Sequence, residues 1–140
     1  MIEDKVINFF LRQAEIGNWD SISVDLVEKK FNIKNKKIQK SIPEKKYFLS
    51  FYNKILDDKV LKTISKEDFE LSNTVEVIQE FLMNKLELMN NNKFAISNIV
   101  NFYIASPKAI LINLKSSKKS IECYLEMFDY TGNIVKKKLL

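Results

Sequence analysis

Between Lys29 and Lys46 the chain places eight lysines (Lys29, Lys30, Lys34, Lys36, Lys37, Lys40, Lys45 and Lys46) against one acid, Glu44. That stretch carries +7, so the rest of the 140 residues sums to −2 and the formal net charge of +5 belongs to this one segment. A dense, unbalanced cluster of ammonium groups suits a polyanion. The phosphate backbone of nucleic acid is the natural partner, because each neutralised phosphate releases condensed counterions.

Other chemistry is poorly supplied. The chain has no His and one Cys, Cys123. This removes disulfide frameworks, His/Cys zinc sites and Ser-His or Cys-His nucleophile pairs together, so neither a metal nor a cofactor is expected. Asp57-Asp58 and Glu67-Asp68-Glu70 bring carboxylates together. Lysines flank them, however, their faces read as solvated, and no Gly-rich phosphate loop accompanies them. The chain reads as a binding protein and not as an enzyme.

The elements that must position the lysines are helices. Only two Gly and two Pro occur, so the turn punctuation of a sandwich or barrel is missing and the expected fold class is all-α. With 46% apolar and 29% charged residues, the composition lies well inside the globular range. Ile2, Val6, Phe9, Phe10 and Ala14 recur at helical spacing behind Glu3 and Asp4, and Gly17-Asn18 stops this first helix. Trp19 reads as a core anchor beneath it.

Ser23 reads as the N-cap of a short second helix carrying Leu26, Val27 and Phe31. Asn32, which tolerates left-handed backbone, stands at the tight turn that follows. A third helix over about Asn35 to Ser41 then turns Ile38 and Ile42 inward, and Pro43 closes it. Burying the isoleucines forces Lys36, Lys37 and Lys40 outward. Two short helices joined by a tight turn make a helix-turn-helix unit.

A longer connecting helix spans about Lys45 to Leu61, with Phe48, Phe51, Tyr52, Ile55 and Leu56 on its apolar side. Ser65-Lys66-Glu67-Asp68 resembles a capping start but leads into a linker. The next helix starts near Asn73, turns Val75, Ile78, Phe81, Leu82, Leu86 and Met89 inward, and breaks at Asn90-Asn91-Asn92. Phe94 to Ala105, with Ile96, Ile99, Val100 and Tyr103, forms another. A short helix over Lys108 to Leu114 precedes one capped by Ser117 that carries Ile121, Tyr124, Leu125 and Phe128 and stops at Gly132. Ile134 to Leu140 reads as a frayed tail or as the start of one more helix cut short.

Ser23, Val27, Asn32-Ile33, Ile38 and Ile42-Pro43-Glu44-Lys45, with Gly17-Asn18-Trp19 upstream, resemble in their spacing the N-terminal signature of TetR-type transcriptional regulators. The resemblance covers roughly residues 2–61. It implies a three-helix helix-turn-helix head over 1–62, connecting helix included. A helical ligand and dimerisation body would follow over 63–140, shorter than usual for the family by about the last helix or two. It implies double-stranded DNA as partner and a homodimer. Phosphate contacts would come from Ser23 and Lys45, and groove contacts from Lys34, Asn35, Lys36, Lys37, Gln39 and Lys40.

Three positions depart from the family pattern: Glu28 stands where a small Ala is usual, Asn32 where the turn has Gly, and Gln39 where a Tyr commonly touches phosphate. These, and the lack of Arg on the third helix, keep a second reading open. In it, a TetR-fold protein has given up specific DNA binding and holds an apolar ligand of lipid or quinone type, or a protein partner. A small apolar effector would sit in the body, where Phe81, Met83, Met89, Phe94, Phe102 and Tyr103 are the candidate lining residues, although core packing is the stronger expectation for them.

Met1-Ile2-Glu3-Asp4 carries acids where a signal peptide needs a basic region, and no apolar run approaches the roughly 20 residues of a membrane span. No membrane span and a cytoplasmic location are therefore expected.

Overall fold

A computed structural model of the chain describes residues 2–63 and 74–131, with Thr74 and residues 123–131 described as backbone. These residues form seven α-helices and two 3-10 turns, with no strand among them. Ser65-Lys66-Glu67-Asp68, Glu70, Gly132, the segment from Ile134 to Leu140 and the side chains of Tyr124, Leu125 and Phe128 lie outside the described residues.

Helix α1 (Asp4–Glu15) buries Val6, Ile7, Phe10, Leu11 and Ala14 on one face, the three-and-four spacing of an amphipathic helix. It ends in a Schellman motif. The Asn18 amide donates to the Gln13 carbonyl at 2.8 Å and the Gly17 amide to Ala14 at 3.2 Å. Gly17 supplies the left-handed residue this requires, with φ +84°. Trp19, in a 3-10 turn (Trp19–Ser21), tucks beneath α1 as the sequence predicts and is 3% exposed.

Helix α2 (Val24–Lys30) starts where Ser23 caps it, its Oγ accepting the Leu26 amide at 3.2 Å. Its buried face is Val24, Val27 and Glu28; Leu26, expected inside, is exposed. A second Schellman motif ends α2. The Ile33 amide donates to the Glu28 carbonyl at 2.8 Å and the Asn32 amide to Lys29 at 3.2 Å, with Asn32 at φ +54°. Asn fills the position that Gly holds after α1.

Helix α3 (Lys37–Ser41) is shorter than the predicted span of Asn35 to Ser41. Asn35 and Lys36 carry φ values of +64° and +51° and belong to the turn, because a left-handed residue cannot continue a right-handed helix. Ile38 and Ile42 are buried as expected.

The predicted helix from Lys45 divides into a 3-10 turn (Lys45–Tyr47) and α4 (Phe48–Thr63). Phe48 centres an aromatic ladder in which its ring lies 4.8 Å from Phe10, 5.5 Å from Trp19 and 5.9 Å from Tyr52. The same apolar cluster continues into Ile96, Ile99 and Tyr103.

Helices α5 (Thr74–Asn90), α6 (Lys93–Ile104) and α7 (Pro107–Thr131) complete the described chain. Helix α6 packs along α1, while α4 packs against α5 and α7. The inward face of α5 is Val77, Phe81 and Lys85; Val75, Leu82 and Leu86, expected inside, are exposed. The apolar residues of this helix therefore do not all lie on its core face. The two helices expected over Lys108 to Leu114 and after Ser117 form one continuous helix, with Ser117 exposed in its interior. No helix among the described residues is long and apolar enough to cross a membrane.

Candidate nucleic-acid interface

The turn from Phe31 to Lys36 holds α3 against α2 through Glu28. Its backbone carbonyl closes the Schellman motif, while Oε2 accepts the Ile38 amide at 3.3 Å. An amide in the first turn of a helix has no intrahelical acceptor, so a carboxylate there meets an otherwise orphaned donor. The partner of this acid, which stands where a small Ala is usual, is therefore backbone. Gln39 Nε2 donates to Asp25 Oδ1 and ties α3 to the first turn of α2.

With Ile38 and Ile42 anchored, Lys34, Asn35, Lys36, Lys37 and Lys40 all stand exposed around the start of α3. Among the described residues no ion pair joins any of these four lysines to a carboxylate. Lys34, Asn35 and Lys36 share a shallow recess of about 450 Å³ with Asp25, Glu28 and Lys29. Lys29 thus joins the site, although it was not among the predicted contacts; its signal was membership of the basic run.

Other predicted contacts are engaged elsewhere. The Ser23 hydroxyl caps α2, and Gln39 is half-buried against Asp25. Lys45 turns inward. Its Nζ donates to the Trp19 carbonyl at 2.6 Å and lies 5.3 Å from the centre of the Phe102 ring. Burial pulls this ammonium below the ordinary lysine range, against the attraction of Asp20. Lys46 pairs with Glu44 at 2.9 Å, and that contact holds the Glu44 carboxyl below its usual value.

The six predicted pocket residues do not meet in one cavity. Phe81 is buried in the core, Met83 and Phe94 are exposed, and Phe102 faces Lys45. Met89 and Tyr103 do line a cavity of about 310 Å³ between α4, α6 and α7, together with Leu49, Leu56, Ile96 and Val100. The Tyr103 hydroxyl donates to the Lys46 carbonyl at 2.5 Å and accepts the Leu49 amide at 3.3 Å. Burial pushes its pKa up to about 12.

Of the two carboxylates at Asp57-Asp58, Asp58 is exposed as expected, whereas Asp57 departs from the solvated surface expected of it. Asp57 is buried, with Oδ1 2.8 Å from Lys85 Nζ and Oδ2 accepting from Ser120 Oγ at 2.5 Å. Asn53 Nδ2 donates to Ser120 at 2.8 Å and to Ser116 at 2.9 Å. This network joins α4, α5 and α7. Among the described residues no group of His, Cys, Asp or Glu is arranged to hold a metal ion.

Neither family models, nor curated proteins, nor solved structures give a match to this chain.

Proposed function

We propose that the chain is a TetR-like helix-turn-helix regulator that binds duplex DNA as a homodimer, gripping it chiefly through phosphates. The observation that carries this is the corner formed by Lys34, Lys36, Lys37 and Lys40, exposed and free of ion pairs among the described residues, opposite the buried Ile38 and Ile42. Helix α3, with five residues, is about 7.5 Å long. It offers its start, not its length, to a major groove, and Asn35 beside the lysines is the side chain able to read a base edge. The exposed apolar side chains Leu82 and Met83 of α5 and Leu111 and Leu114 of α7 are the candidate dimer face.

A random-sequence duplex selection followed by a salt series tests the reading. A near-palindrome should emerge, with half-sites about 34 Å apart. Four phosphates neutralised per copy give a slope of about −3.6 in log K against log salt, and about twice that for a dimer. No enrichment together with a flat salt response would end it.

The cavity between α4, α6 and α7 favours a second reading, in which the body holds a small apolar ligand. Native mass spectrometry that finds a co-purified lipid, with no retention of the protein on DNA, would favour it over the first.

A further inference from the structure

A cleft of about 440 Å³ runs between α4 and α7 and reaches Ser41 at the end of α3. Its volume falls within the roughly 300–1,000 Å³ of small-molecule sites. Helical spacing puts Phe51, Lys54 and Asp58 on one wall, with Tyr47 just before them. Lys119 and Ser116 of α7 face them.

The charge of the cleft is not balanced. Asp57 at its floor is matched by Lys85 at 2.8 Å. That leaves Lys54 and Lys119, one from each wall and both exposed, against the single carboxylate of Asp58, and no ion pair engages either lysine among the described residues. Beside them lie the half-buried rings of Phe51 and Tyr47 and the hydroxyls of Ser50 and Ser116. The floor is firm, since the bonds of Asn53 to Ser116 and Ser120 and of Ser120 to Asp57 hold the two walls at a fixed separation. A preformed cleft loses little entropy on binding.

We propose that this cleft binds a small aromatic anion, its phosphate or carboxylate head held between Lys54 and Lys119 and its ring laid against Phe51 and Tyr47. The site uses none of the α3 lysines, so it stands whether or not the chain binds DNA.

Phenyl phosphate, benzoate and inorganic phosphate, each titrated into the full chain and followed by amide NMR, test it. Saturable shifts are expected at Tyr47 to Asp58 and Ser116 to Ser120 with phenyl phosphate or benzoate, the tighter of the two identifying the head group. Inorganic phosphate should bind about tenfold more weakly or worse, since it lacks the ring. Lys54→Gln combined with Lys119→Gln should weaken binding about tenfold or more. Both side chains are exposed, so this double variant keeps the fold. Lys36→Gln with Lys37→Gln should change nothing.

Absence of saturation, equal affinity for inorganic phosphate, or shifts that persist in the Lys54/Lys119 variant would overturn the proposal. So would a loss of duplex DNA binding in that variant equal to the loss in the Lys36/Lys37 variant, because the cleft lysines would then belong to a DNA surface.

Discussion

The carboxylate of Glu28, in the last turn of α2, accepts the backbone amide of Ile38 in the first turn of α3 at 3.3 Å. An acid that looked misplaced between two helices is therefore a cap supplied from one helix to the next. Helix α3 has no cap of its own: Lys36 precedes it in left-handed backbone without a side-chain bond. Glu28→Ala should cost about 1–3 kcal/mol, the range for leaving a buried donor unpaired. Glu28→Gln, which keeps an acceptor oxygen, should cost less. Urea unfolding of the three proteins measures both, and an unchanged Glu28→Ala midpoint would remove this role.

The Asp57–Lys85 pair is buried and hydrogen-bonded to Ser120. Breaking it from one side strands a charge, so Asp57→Ala should destabilise by about 3–5 kcal/mol. Replacing both partners by apolar residues of similar size, Asp57→Leu with Lys85→Met, should cost markedly less than the single change. Chemical denaturation decides the order; equal losses for single and double variants would contradict an uncompensated charge.

Tyr103 links α6 to the start of α4 through one donated and one accepted bond. Tyr103→Phe should lose about 1–2 kcal/mol near neutral pH. The hydroxyl titrates at about 12 in the folded protein, against about 10 for an unperturbed tyrosine. Because the folded value is the higher one, the stabilisation from Tyr103 is fully present below pH 10 and fades as pH rises through 12. The stability gap between wild type and Tyr103→Phe should therefore shrink between pH 10 and 12. A gap constant across that window would show that the hydroxyl is not held neutral by the fold.

Lys36→Gln with Lys37→Gln should flatten the salt slope of duplex binding by about 1.8 per copy, whereas Lys45→Gln should leave the slope unchanged. The contrast separates an exposed ammonium from one bonded to the Trp19 carbonyl. Lys36 also sits at φ +51°, which costs a non-glycine residue about 1 kcal/mol. Lys36→Gly should accordingly raise stability by about 1 kcal/mol while weakening DNA binding. Loss of stability in Lys36→Gly would mean that the turn does not carry this strain.

Residue type alone foretold much of the local structure. Ser23 as a cap, Asn32 as the left-handed residue of a turn, and Ile38 and Ile42 as buried anchors depend on neighbours within a few positions, so the chain announces them. Elements failed where a local rule met a competing one. The spacing of Ile38 and Ile42 predicts a helix from about Asn35, but Asn35 and Lys36 take left-handed backbone and cut it short. Ser117 looked like a cap but lies in the interior of α7, because no breaker such as Gly or Pro separates it from the preceding turn.

The amino-acid sequence by itself determined an all-helical chain and a concentration of positive charge around one short helix, because periodicity, capping and composition act over short distances along the backbone. Tertiary structure alone decided which ammonium groups reach solvent and which charges go inside. Lys45 belongs to the same basic run as Lys36 and Lys37, yet it turns inward to the Trp19 carbonyl, 26 positions back in the chain. Asp57 and Asp58 are adjacent, yet one is buried against Lys85 and the other exposed. The cause is packing: neighbouring side chains on a helix point about 100° apart, and whether a given direction meets water or another helix depends on partners far away in the chain.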